Sequence, residues 1–171
     1  MTAAQTFDSR RLRDVLGCFA TGVAVVTTRR QDGSPEGVTV NSFTSVSLDP
    51  PLVLFSLDRR GRCAGVFRES THVAIHILAH GQTGLSRAFA ARGGADWSAL
   101  EWRAGIGGCP LLAGDLATLQ CAAHARHDGG DHEIHVVRVL ALQQAGNGEP
   151  LLYFRGRYRD IAPDGAGAAA G

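Results

Sequence analysis

Gly37-Val-Thr-Val-Asn-Ser-Phe-Thr-Ser-Val-Ser-Leu-Asp-Pro-Pro-Leu-Val-Leu-Phe-Ser-Leu57 is the stretch whose reading decides the fold. Two apolar runs, Val38 to Val40 and Leu52 to Leu57, enclose a segment crowded with hydroxyl and amide side chains and almost free of charge. The alternation Ser45-Val46-Ser47-Leu48 predicts a half-buried strand. Pro50-Pro51 predicts an extended corner, because proline fixes its own φ and restricts the residue before it. Turn chemistry accounts for Asn41 and Ser42. The six hydroxyl or amide residues between Thr39 and Ser47 exceed what one turn requires, so the bend is read as an uncharged, donor-rich pocket.

Upstream, Asp8 or Ser9 can cap a helix whose apolar positions Leu12, Val15, Leu16 and Phe19 share one face, and that face is expected to lie against a sheet. Thr21-Gly22 breaks the pattern, and Val23 to Thr28 is a β-branched run that reads as a buried strand. Asp32-Gly33 supplies a hairpin turn, so Gly37 to Val40 should return antiparallel. Downstream, Ala64 to Phe67 is a short amphipathic piece, Val73 to Leu78 a strand, and Thr83 to Ala91 a helix ended by Gly93-Gly94. The glycine-rich stretch through Trp97 and Trp102 to Cys109-Pro110 reads as an irregular flap over a pocket. Leu119, Cys121, Ala123 and Ala125 alternate with polar or small residues along a long strand, His127 to Asp131 turn, and His132 to Leu142 return. Gly146-Asn-Gly148 makes the next reversal, Leu151 to Phe154 a last short strand, and the Ala/Gly tail 163–171 reads as disordered. No strand-helix-strand series opens on a glycine-rich turn, so a Rossmann domain is not expected; a closed antiparallel barrel with helices at its mouth is.

The 171 residues, 44% hydrophobic and 19% charged, fit one globular domain with a sizeable core. A net charge of +1 without a dense basic run argues against nucleic acid as a partner. All 17 cations are arginine. Schiff-base chemistry and a P-loop lysine are thereby excluded, and arginine is the only permanently charged phosphate partner. Cys18, Cys63, Cys109 and Cys121 form no C-x-x-C pair and read as reduced, mostly buried thiols. No run approaches the roughly 20 apolar residues of a membrane helix, and Met1 to Asp8 lack a signal-peptide core, so the expected location is the cytoplasm, with no membrane contact.

Histidine spacing offers two further constellations. His72, His76 and His80 would align on a helix as metal ligands, but the residues between them favour a strand, where they merely share a face. His124, His127, His132 and His135 flank one hairpin without a cysteine or carboxylate at zinc spacing. Tyr153, Arg155, Arg157 and Tyr158 fit an ordinary edge strand with solvated cations as well as they fit a ligand site.

Taken with Phe19-Ala-Thr-Gly-Val-Ala-Val-Val-Thr27, Gly130-Asp-His132 and Tyr153-Phe-Arg-Gly-Arg-Tyr158, the opening stretch resembles the short-chain flavin reductase family, small NAD(P)H:flavin oxidoreductases. The similarity runs from about Phe7 to Ile161. It implies a mainly β fold with inserted helices, an antiparallel split β-barrel that binds FMN. Residues 1–162 would be the flavin reductase-like domain. It also implies FMN or FAD as the flavin, NADH or NADPH as hydride donor, a homodimer, and delivery of diffusing reduced flavin to a partner monooxygenase. By this resemblance Thr39, Val40, Asn41 and Ser42 run along the isoalloxazine and ribityl chain, Ser45, Val46 and Ser47 lie near the flavin's other parts, and Arg62 and Gln82 complete the cofactor set. His132 is the catalytic candidate, placing the nicotinamide or balancing charge as the flavin becomes anionic. Thr21, Gly22, Tyr153, Arg157 and Tyr158 join it on the NAD(P)H side.

The chain also departs from the family. Gly61 and Cys63 replace the serine and threonine that commonly flank the arginine at Arg62, and His76 stands where relatives often have asparagine. With hydroxyls missing beside Arg62, a flavin phosphate would be held loosely and the flavin would exchange. Two other readings share the residues: a non-catalytic flavin-binding sensor or carrier, and a flavin-bound oxidase of the same fold. The oxidase would need a cation cluster for its substrate phosphate, and the sequence shows none.

Overall fold

The computed structural model describes residues 7–145 and 148–161. Its elements are α1 (Ser9–Leu16), β1 (Thr21–Gly22), β2 (Ala24–Arg29), β3 (Pro35–Val40), β4 (Thr44–Leu48), β5 (Pro51–Asp58), α2 (Ala64–Glu69), β6 (His72–Ile77), α3 (Thr83–Ala90), β7 (Trp102–Ala104), β8 (Pro110–Leu112), β9 (Ala117–Gly129), β10 (His132–Gln144), β11 (Leu152–Phe154) and β12 (Arg157–Arg159). Seven strands form one antiparallel sheet in the order β3-β2-β6-β9-β10-β5-β4. Its outer strands, β3 and β4, are not hydrogen-bonded to each other. The expected closed barrel is therefore a split one. Side chains from β2, β3, β5, β6, β9 and β10 nevertheless meet in a single core around Phe55, Phe67 and Ile75, so the sheet wraps around that core.

Period-2 geometry explains why Val23 to Thr28 is apolar without interruption. Ala24 and Val26 enter the wrapped core. Val23 and Val25 point to a second cluster with Leu78, Phe89, Leu112 and Leu151, where α3 packs. The expected hairpins form: β2 pairs with β3 across the Asp32-Gly33 turn, and Gly129 faces His132 across a two-residue turn at Gly130-Asp131. Gly130, with φ +79, supplies the left-handed backbone this turn needs.

Several expectations are corrected. Asp8 caps α1 by accepting from the Arg11 N–H at 2.7 Å, yet the apolar stripe is not buried: Leu16 is 61% and Phe19 76% exposed. The outer face of β2 is already covered by the second cluster and not by α1. The Ser45 to Leu48 segment is an exposed edge strand rather than a half-buried one, with Leu48 94% exposed. The presumed flap is folded, containing two short 3-10 turns and the β7–β8 hairpin. Its Cys109 and Pro110 are buried, and the Thr27 hydroxyl donates to the Pro110 carbonyl at 2.6 Å. A twelfth strand, β12, follows β11 through a turn at Arg155-Gly156, so the single edge strand that Tyr153 to Tyr158 suggested is a hairpin of two short strands. Register shifts in the β9–β10 ladder break the expected alternation, and Ala123 is exposed. The 163–171 tail and the Gly146-Asn147 part of the expected reversal lie outside the described residues.

Cys63, Cys109 and Cys121 are buried free thiols, whereas Cys18 is exposed. Two histidines are also interior. His76 Nδ1 lies 2.8 Å from Asp115 Oδ2, which also accepts from Thr118 at 2.6 Å, and its Nε2 lies 3.2 Å from both Thr27 Oγ1 and the Pro110 carbonyl. This network ties β2, β6, β8 and β9 together. Burial tends to raise the Asp115 pKa, but the hydrogen bonds from His76 and Thr118 outweigh it and hold the carboxyl below its usual range.

His135 stacks flat on Phe55 at 5.1 Å. Burial pushes its imidazole down to about 4, against the pull of Glu133 3.3 Å away and with a small push from Arg126 and Arg68. The unfolded chain, near about 6.5, therefore takes up this proton first, and stability is lost as pH falls from about 6.5 toward about 4. Denaturant titrations should show the wild type losing roughly 1–2 kcal/mol from this group between about pH 7 and about pH 5. His135→Gln should flatten that slope; an unchanged slope would assign it to another group.

Candidate functional site

β3 pairs only with β2, so one edge of it carries backbone N–H and C=O groups that the sheet does not use. Beside it opens a cleft of about 250 Å³, walled by Val38 to Ser42, by Ser56 to Asp58, by Gly61, Cys63 and Ala64, and by His132. The hydroxyls of this segment do unequal work. Thr39 Oγ1 donates to the Ser86 carbonyl at 2.6 Å and fastens β3 to α3. Ser42 Oγ donates to the Ser56 carbonyl at 3.1 Å and accepts from the Ser56 N–H at 2.9 Å, which stitches the bend to β5. Among the described residues, only the Asn41 amide and the Ser56 hydroxyl on these walls carry polar side-chain atoms of this neutral kind without a protein partner.

His132 stands at the end of the β5–β10 ladder, paired with Asp58. Its Nδ1 lies 2.7 Å from Asp131 Oδ1, and that hydrogen bond keeps the Asp131 carboxyl below its ordinary range. Nδ1 therefore carries the proton facing Asp131, and Nε2 remains for a ligand.

A second cleft, about 350 Å³, shares Asn41 with the first and is lined by Thr21, Tyr153, Phe19, Leu16, Arg13 and Arg155. Thr21 pairs with Tyr153 across β1 and β11. The buried Thr21 hydroxyl has no hydrogen-bond partner, an orphaned polar atom that a ligand would satisfy. Arg155 is the one non-glycine residue with positive φ among the described residues, at 49°.

The other expected site residues are engaged elsewhere. Arg62 donates from Nη1 to both Glu36 oxygens, at 2.7 and 2.8 Å, and from Nη2 to the Gly37 carbonyl. Glu36 is 2% exposed and also meets Arg30. Burial opposes its charge, yet the bonds from Arg62 and the Gly37 N–H prevail and keep its carboxyl below the usual range. Gln82 accepts from the Ala79 N–H and donates to the Ala113 carbonyl, closing a loop. Ser45, Val46 and Ser47 lie on β4, outside both clefts. Tyr158 holds the Ser86 hydroxyl at 2.9 Å and packs edge-on against Tyr153, while Arg157 is exposed on β12 and Gly22 faces Leu152. The structure thus brings together Thr39, Val40, Asn41, Ser42 and His132, with Thr21 and Tyr153 next door. Sequence reading missed Ser56, Asp58 and Arg13, and weighed Arg155 only as part of an edge strand or ligand site; Asp58 sits in the turn-forming run Asp58-Arg-Arg-Gly61, the one local signal available.

A flat heteroaromatic ring with carbonyls and ring nitrogens along one edge fits the first cleft, where the open edge of β3, Asn41 and Ser56 offer donors and acceptors. A split barrel with a largely neutral slot adjoining a second cleft offers room for two ligands side by side, as a flavin-linked oxidoreductase requires. Residues 16–162 match the family described as flavin reductase like domain, and the chain belongs to that family. The reductase subunit HsaB of a flavin-dependent monooxygenase from Rhodococcus jostii is 38% identical over 162 residues, covering 95% of this chain and 83% of its own. The FMN reductase (NADH) SmoA of Agrobacterium fabrum is 44% identical over 151 residues, 88% of this chain and 85% of its own. The solved NADH:FAD oxidoreductase SgcE6 of Streptomyces globisporus, in complex with NAD and FAD fragments, superposes with a TM-score of 0.86 at 37% identity, over 95% of this chain and 99% of that one.

The division of labour between Asn41 and Ser42 is testable. Asn41→Ala should weaken flavin binding roughly three- to tenfold with unchanged melting, the worth of one hydrogen bond. Ser42→Ala leaves the Ser56 N–H and C=O unpaired and should lower stability by about 1–3 kcal/mol. Fluorescence titration and denaturant melts read the two quantities separately; the reverse pattern would exchange the roles.

Proposed function

We propose that the protein transfers a hydride from NADH or NADPH to FMN or FAD and releases the reduced flavin to a partner monooxygenase. The observation that carries this reading is the meeting of two clefts at Asn41, with His132 on the wall of the first. Flavin supplies the two-electron acceptor chemistry when bound. The chain's part is to orient: the edge of β3 and Asn41 take the polar rim of the ring, Thr21 and Tyr153 border the nicotinamide side, and His132 Nε2 places the nicotinamide or offsets charge on the reduced ring.

Exchange of the flavin follows from the fate of Arg62. Its guanidinium is satisfied by Glu36 and Gly37, and Gly61 and Cys63 offer no hydroxyl, so few charge-assisted contacts remain for a phosphate. Homodimerisation is supported by the exposed stripe of Leu12, Val15, Leu16 and Phe19, since an amphipathic helix needs a cover for its apolar face. A cytoplasmic setting agrees with three buried free thiols; no helix among the described residues is long and apolar enough to cross a membrane.

After passage through a desalting column, the protein should oxidise NADH only when flavin is added, with half-saturation in the micromolar range. Protein that emerges yellow with one flavin per chain, and turns over independently of added flavin, would favour a bound-flavin oxidase or sensor. His132→Ala should slow reduction of the flavin roughly ten- to a thousandfold in stopped-flow, with flavin affinity within a few fold of wild type. A wild-type rate would return His132 to an ordinary hairpin residue.

A further inference from the structure

Two walls of the first cleft are separate in sequence: the turn from Asp58 to Cys63, and the β9–β10 turn that presents His132. Beyond the β5–β10 ladder, which ends at the His132–Asp58 pair, one residue joins them. The Arg59 backbone N–H donates to the Asp131 carbonyl at 3.0 Å, Nε donates to the Gly130 carbonyl at 3.0 Å, and Nη2 donates to Asp128 Oδ1 at 2.9 Å. Its Nη1 lies 3.6 Å from Glu133 Oε2. Every partner flanks His132, and none is His132 itself.

A two-residue hairpin turn leaves the carbonyls of its two central residues outside the ladder. Those are the Gly130 and Asp131 carbonyls, and Arg59 supplies a donor to each. Asp128 Oδ1 also accepts from the Gly130 N–H at 2.9 Å, so the guanidinium grips a carboxylate already fixed to the turn. Both bonds, that from Gly130 first and that from Arg59 next, hold the Asp128 carboxyl below its usual range. At its own end Arg59 leaves a preset turn, where the Gly61 N–H reaches the Asp58 carbonyl and the Arg60 N–H reaches Asp58 Oδ1. Arg68 of α2 meets Glu133 from the other side at 3.3 Å. Ion pairs as exposed as the Arg59–Asp128 contact add little to global stability, with Asp128 83% exposed. Their consequence is local: they set where the turn, and the imidazole on it, can stand.

We propose that Arg59 is a positioning residue for hydride transfer, holding the Asp128 to Glu133 turn so that His132 is fixed on the wall of the flavin cleft. This rests on the reading of His132 given above. A double-mutant cycle separates the two. Single-turnover flavin reduction at saturating NADH is measured for the wild type, Arg59→Ala, His132→Ala and the double variant, with flavin affinity and melting recorded for each. Arg59→Ala should slow reduction about tenfold with little change in melting or flavin affinity. Arg59→Lys, which lacks the forked guanidinium, should recover only part of the rate. In the His132→Ala background the Arg59 substitution should cost nothing further. An equal loss in both backgrounds, with His132→Ala itself slow, overturns the positioning role and leaves the His132 reading standing. A wild-type rate in His132→Ala overturns that reading and the proposal with it.

Discussion

Burial of β2 on both faces sets the terms for everything around it. Val25 and Val26 are each fully buried, but in different clusters. A one-residue slip would exchange the two sets of side chains, so the register of β2 against both neighbours is strongly determined. Because β2 is fixed, β3 is fixed beside it as the outer strand. The backbone edge available to a planar ligand is thus a by-product of how the core is packed. Thr39 reinforces this from the far side through Ser86, and Ser86 is itself held by Tyr158.

Charge near the cleft is spent internally. Glu36 would be intolerable as a lone buried carboxylate, and two arginines neutralise it. Removing one partner of such a group leaves an uncompensated charge, which is why Arg62 cannot be lent to a ligand without cost. Around the ring site the walls are mostly neutral, with Asp58 and His132 the exceptions, and two arginines without a carboxylate partner among the described residues, Arg13 and Arg155, line the second cleft.

The elements legible in the sequence were those whose cause is local. Asp32-Gly33 and Gly130-Asp131 dictate turn geometry by themselves, and the β-branched run at Val23 to Thr28 announces double burial. Capping by Asp8 was legible too. The fate of the α1 stripe was not, because amphipathicity states that a face needs cover and not what covers it. The segment from Trp97 to Pro110 looked irregular because its order comes from distant partners, such as Thr27 and the buried surroundings of Cys109. Within the site, the segment Thr39 to Ser42 was found by its composition, but composition cannot show which hydroxyls are consumed by the fold. Arg62 and Gln82 had the right chemistry for a ligand and were claimed by Glu36 and by the Ala79 to Ala113 loop closure instead. Arg59 escaped notice because all four of its partners in the β9–β10 turn lie some seventy positions away.

Asn41 lies on the rim shared by both clefts. A side-chain amide has a donor end and an acceptor end, and a ligand in either cleft competes for the same rotamer. With flavin and nucleotide in these two clefts, as proposed, occupancy of one would alter the free energy of filling the other. Thermodynamic reciprocity then requires that whatever factor the nicotinamide nucleotide imposes on flavin affinity, flavin imposes equally on the nucleotide. On that assignment the coupling between the two ligands would run through one residue at the junction of the clefts.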